Sequence, residues 1–180
     1  MKIIRFCGFF LVVATVLGSS VAAMGEELFF KDYKTAVIHE FKVPPNIPAP
    51  DTAGSQITEK LVYQIRRYSQ KYHLFNIVVK EGTREVPAGE KTLLIKGEVK
   101  EYTRPSVGRR IGRSFIPGGE WTGTAAFAAH YQFIDRESGK LVYETDLRTG
   151  STGRADTVDY AMERNAEAAA KVIYKYKIGR

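Results

Sequence analysis

Residues 56–79 read QITEKLVYQIRRYSQKYHLFNIVV, a helical pattern that runs straight into a strand pattern. Ile57, Leu61, Ile65, Tyr68 and Tyr72 recur every three or four residues, which assigns Lys60, Gln64, Arg67 and Lys71 to the opposite face. The spacing predicts one amphipathic helix from Gln56 to Tyr72. FNIVV, residues 75–79, predicts a short buried strand. Upstream, KTAVIHEFKV (34–43) is rich in β-formers and stops at Pro44-Pro45, so it predicts a first strand. Strand, helix and strand form a unit whose usual crossover is right-handed. The linker PPNIPAPDTAGS carries four prolines that favour an extended chain, and Asp51 or Ser55 is placed to cap the helix.

Downstream, a charged turn with Gly82, Pro87 and Gly89 leads into TLLIKGEVKEYT, a third strand from Thr92 to Thr103. From about Thr122 to Asp135 the chain alternates, with Phe127, Ala129, Tyr131 and Phe133 on one face and Ala128, His130 and Gln132 on the other. DRESGK then places Gly139 where a tight hairpin needs a left-handed residue, and KLVYETDLRT returns antiparallel from Lys140 to Thr149. The segment from Asp156 to Tyr176 puts Val158, Met162, Asn165, Ala169, Val172 and Tyr176 on one stripe, with Asp156 and Asp159 near the positive end of the helix dipole. Its AEAAA run has little bulk and can lie close to the AAFAA of the fourth strand. The order β-α-β-β-β-β-α predicts an α/β fold of the two-layer α+β kind, a mixed sheet with two amphipathic helices on one face.

The first 23 residues carry Lys2 and Arg5, an apolar run from Phe6 to Leu17 and a small-residue end, the three parts of an export signal. The run is shorter than the roughly 20 residues a permanent membrane helix needs. We therefore expect a signal peptide at 1–23, a single domain over 24–180, a periplasmic or secreted product, and no transmembrane segment after cleavage. Cys7 is the one cysteine and precedes the apolar core, so there is no lipobox, and the mature chain is left without disulfides, thiol nucleophiles or Cys-bound metal. Removing Lys2 and Arg5 from the 27 basic residues leaves 25 against 20 acidic, a formal charge of +5 instead of +7. That mild excess favours anionic partners.

Much of the excess sits in RPSVGRRIGRSFIPGGEW, residues 104–121. GRRIGRS has three residues between its glycines where a phosphate loop has four, followed by Arg113-Ser114 in place of Lys-Ser, which argues against a nucleotide site. Export and the lack of a binding module argue against nucleic acid. Two readings of Arg104, Arg109, Arg110 and Arg113 stay open. The arginines keep a strand connection soluble, or they contact phosphates of lipid head groups, acidic polysaccharide or the carboxylates of a protein partner.

GEVKEYTRPSVGRRIGR, GGEWTGTAAFAAHYQFIDRESGKLV and TGSTGRAD together resemble DUF4410, a bacterial family of secreted proteins of unknown function. The resemblance spans most of residues 34–176 and implies an envelope location without a catalytic signature. Many such proteins look like lipoproteins, and this chain departs from them in lacking the lipobox.

Other motifs have plain accounts. His39, His73 and His130 show no metal-ligand spacing. TGSTG (149–153) lacks the first glycine of a nucleophile elbow, although Ser151, Thr152 and Arg154 lie where an anion could sit on the next helix. Asp135 and Glu137 belong to the hairpin tip. We expect no catalytic residue, cofactor or metal, and a non-catalytic envelope domain that binds or assembles through the Arg/Gly loop. The alternative is a hydrolase of an envelope polymer using acidic or histidine residues that the sequence does not place. Oligomeric state stays open.

Overall fold

The computed structural model describes residues 27–83, 85–86, 89–105, 124–151 and 156–179. The expected export signal lies outside them. Among these residues, five strands and two long helices follow in the order β1 (Thr35–Ile38), α1 (Ala53–Tyr72), β2 (Ile77–Lys80), β3 (Thr92–Thr103), β4 (Ala126–Asp135), β5 (Leu141–Gly150) and α2 (Val158–Ile178). They form one mixed sheet of order β2-β1-β3-β4-β5. β1 lies parallel to both β2 and β3, while β3–β4 and β4–β5 are antiparallel. Both helices pack on one face of this sheet and against each other. The fold is the two-layer α+β arrangement that the pattern predicts.

On the helix side, Ala36 and Ile38 of β1, Leu93, Ile95 and Val99 of β3, and Phe127, Ala129, Tyr131 and Phe133 of β4 are buried. Ile57, Leu61 and Ile65 of α1 and Met162, Ala166, Ala169 and Ile173 of α2 close over them. Gln64, assigned to solvent by its polarity, is 1% exposed. In α2 the buried stripe passes through Ile173 and Lys177, leaving Val172 and Tyr176 at its margin. The stripe drifts because 3.6 residues per turn carry it sideways over a helix of this length.

The capping differs from expectation at α1. Neither Asp51 nor Ser55 caps it; Thr52 occupies the cap without its side chain accepting a backbone N–H of the helix, and Ser55 Oγ donates to Thr52 O at 3.0 Å. His73 ends the helix in the left-handed conformation at φ 55° and donates its N–H to Ser69 O. In α2, Thr157 Oγ1 accepts from Tyr160 N at 3.2 Å, and Asp159 lies in the first turn.

A buried polar chain ties the layers. Tyr131 OH donates to Asn165 Oδ1 at 2.6 Å, and Asn165 Nδ2 donates to Leu147 O at 2.9 Å. At the other end of α2, Lys177 Nζ donates to the carbonyls of Phe30, Lys31 and Tyr33 at 2.9, 3.2 and 2.6 Å, holding the segment before β1 on the last helical turn. Burial pulls this lysine down to about 8, with the Lys34 charge acting in the same direction.

Candidate functional site

The loop after β3 is the sequence-predicted contact surface. Arg104 is exposed just past the end of β3, whereas Arg109, Arg110 and Arg113 lie outside the described residues. Both ends of the loop are fixed. Thr103 pairs with Ala126, so the chain leaves and re-enters at one end of the sheet. Ala125 N donates to Asp156 Oδ1 at 2.8 Å, and Ser151 N donates to Ala125 O at 2.9 Å, with the Ser151 hydroxyl also on Asp156. Ser151 is thus a buried internal anchor and not part of an anion site; Thr152 and Arg154 lie outside the described residues. Near the end of β3, Arg148 forks onto Glu101, with Nε to Oε2 at 2.7 Å and Nη2 to Oε1 at 3.1 Å. That bidentate pair holds the Glu101 carboxyl below the usual carboxylate range.

A second feature is the sheet face turned away from the helices. Strand alternation sends Lys96 and Glu98 of β3, His130 and Gln132 of β4, and Glu144 and Asp146 of β5 to this face, in register as Lys96–Gln132–Glu144 and Glu98–His130–Asp146. After Ile38 the chain leaves β1 and touches β3 again at a single bridge, Lys42 to Glu98. The detour leaves a cleft of about 240 Å³ lined by His39, Glu40, Lys42, Lys96, Glu98, His130 and Gln132. Two of the three histidines therefore share one depression. His73 does not join them.

Within this cleft the charges are largely matched. His130 Nδ1 lies 3.0 Å from Asp146 Oδ1 and its Nε2 3.5 Å from Glu144 Oε2. His39 pairs with the Glu81 carboxylate, and Glu40 pairs with Lys80 at 2.9 Å. Glu98 accepts from Lys100 Nζ at 2.7 Å, and that bond, aided by the charges of His130 and Lys42, keeps its carboxyl below the usual range. Imidazoles, carboxylates and amines line the cleft, groups that can bind polar ligands or transfer protons. Among the described residues, no group of three or more His, Cys, Asp or Glu side chains is placed to hold a metal ion. No helix among them is long and apolar enough to cross a membrane.

Asp135 belongs to the hairpin. Its Oδ1 accepts the backbone N–H and the hydroxyl of Ser138, both at 2.9 Å, and Tyr33 OH donates to Oδ2 at 3.0 Å. These bonds hold the carboxyl low, the Ser138 N–H contributing most. Lys96, Glu98, Glu144 and Asp146 were not singled out by the sequence reading, yet a signal was present. Charged residues at every second position of β3 and β5 mark the solvent side of a strand.

No family model matches the chain, and no curated protein matches it. Solved structures do. PelC from Paraburkholderia phytofirmans, crystallised as a dodecamer, is similar at 12% identity and a TM-score of 0.54, covering 84% of this chain and 92% of that one. A protein of DUF330 from Xanthomonas campestris is similar at 9% identity and a TM-score of 0.51, covering 83% of this chain and 87% of that one. At these identities the likeness establishes a shared fold.

Proposed function

We propose that this chain is a non-catalytic cell-envelope module that binds or assembles with other envelope components, with the loop of Arg104, Arg109, Arg110 and Arg113 as its contact surface. The observation that carries the reading is the fold shared with PelC over 84% of the chain, since PelC is a dodecamer. The predicted export signal and the resemblance to DUF4410 agree with an envelope location. The anchored ends of the loop support its use as a contact surface, because Arg104 leaves the sheet beside the ordered Glu101–Arg148 pair. The partner is an envelope protein or an anionic envelope component. Reversing Arg109, Arg110 and Arg113 together and repeating a pull-down from envelope extract tests the loop: loss of partners is expected, and an unchanged set of partners removes the loop from the reading.

One observation favours a second reading, a hydrolase of an envelope polymer. His39 and His130 share the 240 Å³ cleft, and Asp146 could orient His130 as a base toward water. Hydrolysis of purified envelope polysaccharide by the chain, lost in His130→Ala, would establish it. We expect none.

A further inference from the structure

The outer face of the helix layer, turned away from the sheet, is sorted by charge along its length. α1 and α2 lie side by side and run in the same direction, since Lys60 pairs with Asp159, Arg67 with Glu167, and Tyr72 packs on Tyr174. Toward the start of the helices the exposed acids are Glu59, Asp159 and Glu163. Toward their ends Arg67, Lys71, Lys171 and Lys175 are exposed, and Glu167 is the one carboxylate in residues 164–178. Arg67 at 3.6 Å and Lys171 at 3.2 Å share it, so positive charge is in excess there.

Helix dipoles account for part of this excess. Their effect is confined to the last turn, which holds Lys71 in α1 and Lys175 and Lys177 in α2. Arg67 and Lys171 lie further back, with side chains 51% and 62% exposed. The same face also leaves apolar surface open. Tyr63 is 62% exposed and Ile178 40%, two of the three large hydrophobic side chains left exposed among the described residues. Helical spacing sets Lys171, Tyr174, Lys175 and Ile178 on one stripe of α2, and Tyr63 beside Arg67 on α1. The cations therefore lie between two exposed apolar groups.

We propose that the C-terminal halves of α1 and α2 dock on a bilayer that contains anionic phospholipid, with Arg67, Lys71, Lys171 and Lys175 on lipid phosphates and Tyr63 and Ile178 at the headgroup boundary. Two adjacent helices present an outward-curving surface, and an extended anionic plane meets cations on both at once. The long Lys and Arg stems reach that plane while their apolar parts stay on the protein. An acidic polysaccharide matches the charges but gains nothing from an exposed isoleucine, whereas a lipid interface does. No described helix is long and apolar enough to span the bilayer, so the contact is peripheral. The loop after β3 lies beside the start of α2, where Ala125 N meets Asp156, and is clear of this surface. This inference rests on the envelope location in the reading above and supplies a second, separate contact.

Co-sedimentation of the chain, purified after export, with vesicles of phosphatidylcholine with and without phosphatidylglycerol tests it. Binding is expected only where phosphatidylglycerol is present, and it should weaken as salt is added. Lys71→Gln/Lys171→Gln/Lys175→Gln, verified as folded by circular dichroism, should bind about a hundredfold more weakly. Tyr63→Ser/Ile178→Ser should lose about tenfold. A variant reversed at Arg109, Arg110 and Arg113 should bind vesicles like the wild type. If Tyr63→Ser/Ile178→Ser also binds like the wild type and soluble polygalacturonate displaces the vesicles, the face is a glycan surface and the lipid proposal fails. If the loop variant loses vesicle binding and the lysine variant keeps it, the helix face is excluded while the envelope reading stands. Absence of binding to both kinds of vesicle overturns the proposal, and the pull-down still decides the loop.

Discussion

The ring of Phe41 fills the space that a side chain on Gly97 would occupy. A Cβ built on Gly97 falls inside the ring, and one built on Gly54 falls on the Phe41 carbonyl oxygen. Phe41 is held there by its N–H on Thr58 Oγ1 at 3.1 Å and by an edge-on contact with Tyr131, ring centroids 5.2 Å apart. Gly97→Ala is therefore expected to cost about 2–3 kcal/mol through overpacking. Gly54→Ala should cost at least as much, because backbone yields less than a ring. Urea denaturation measures both, and Gly97→Ala/Phe41→Leu should lose less than the sum of its two single variants.

Asn165 is the polar hinge of the core. Tyr131→Phe leaves Asn165 Oδ1 without its buried donor, and Asn165→Leu leaves the tyrosine hydroxyl without its acceptor and takes a side-chain donor from the Leu147 carbonyl. Each is expected to cost about 1–3 kcal/mol. A double-mutant cycle by chemical denaturation should return a coupling of the same sign as a lost shared bond, with the double variant less damaged than additivity requires.

Lys177 should leave a signature at alkaline pH. Its folded value of about 8 lies below the ordinary 10.5, so between those limits the unfolded chain binds more protons and the lysine's contribution to stability rises with pH. Tyr33 acts oppositely at higher pH: burial and the nearby Asp135 push it up to about 12, so stability is lost as pH rises from the ordinary 10 through that value. Melting temperatures of the wild type relative to Lys177→Met should therefore climb between pH 8 and pH 10.5. At pH 7 the same substitution, which strips a donor from three carbonyls, is expected to cost about 2–4 kcal/mol.

The Glu101–Arg148 pair should prove modest by comparison. Arg148 is the more exposed partner, with its side chain 66% accessible, so Arg148→Ala is expected to cost less than about 1 kcal/mol despite the bidentate geometry. Its contribution is present above the usual carboxylate range and lost as pH falls, since the folded Glu101 carboxyl is held low. Added salt should shrink the difference between wild type and variant in thermal melts.

Period-two and helical spacing were enough to place most elements. β3 runs over Thr92–Thr103 as the pattern indicates, and the burial of Phe127, Ala129, Tyr131 and Phe133 follows their alternation. Gly139 adopts φ 68° at the hairpin, as its position demands. Polarity misled where a buried polar atom found partners across the fold. Lys177 reads as a surface residue because the three carbonyls that hold it come from the opposite end of the chain. Gln64 misled in the same direction, although its Oε1 has no hydrogen-bond partner among the described residues. The β2-β1-β3 arrangement, and with it the cleft shared by His39 and His130, depends on a parallel pairing that no local pattern encodes. Of the four arginines selected from sequence, the described residues include Arg104 alone.

The clasp made by Lys177 also orders events in time. Phe30 N donates to Tyr176 O at 3.1 Å, and Lys177 takes the three carbonyls beside it, so the segment ahead of β1 docks on the last turn of α2. The earliest described residues therefore dock only once α2 is in place, and the fold is closed by segments far apart in the chain rather than growing outward from its beginning.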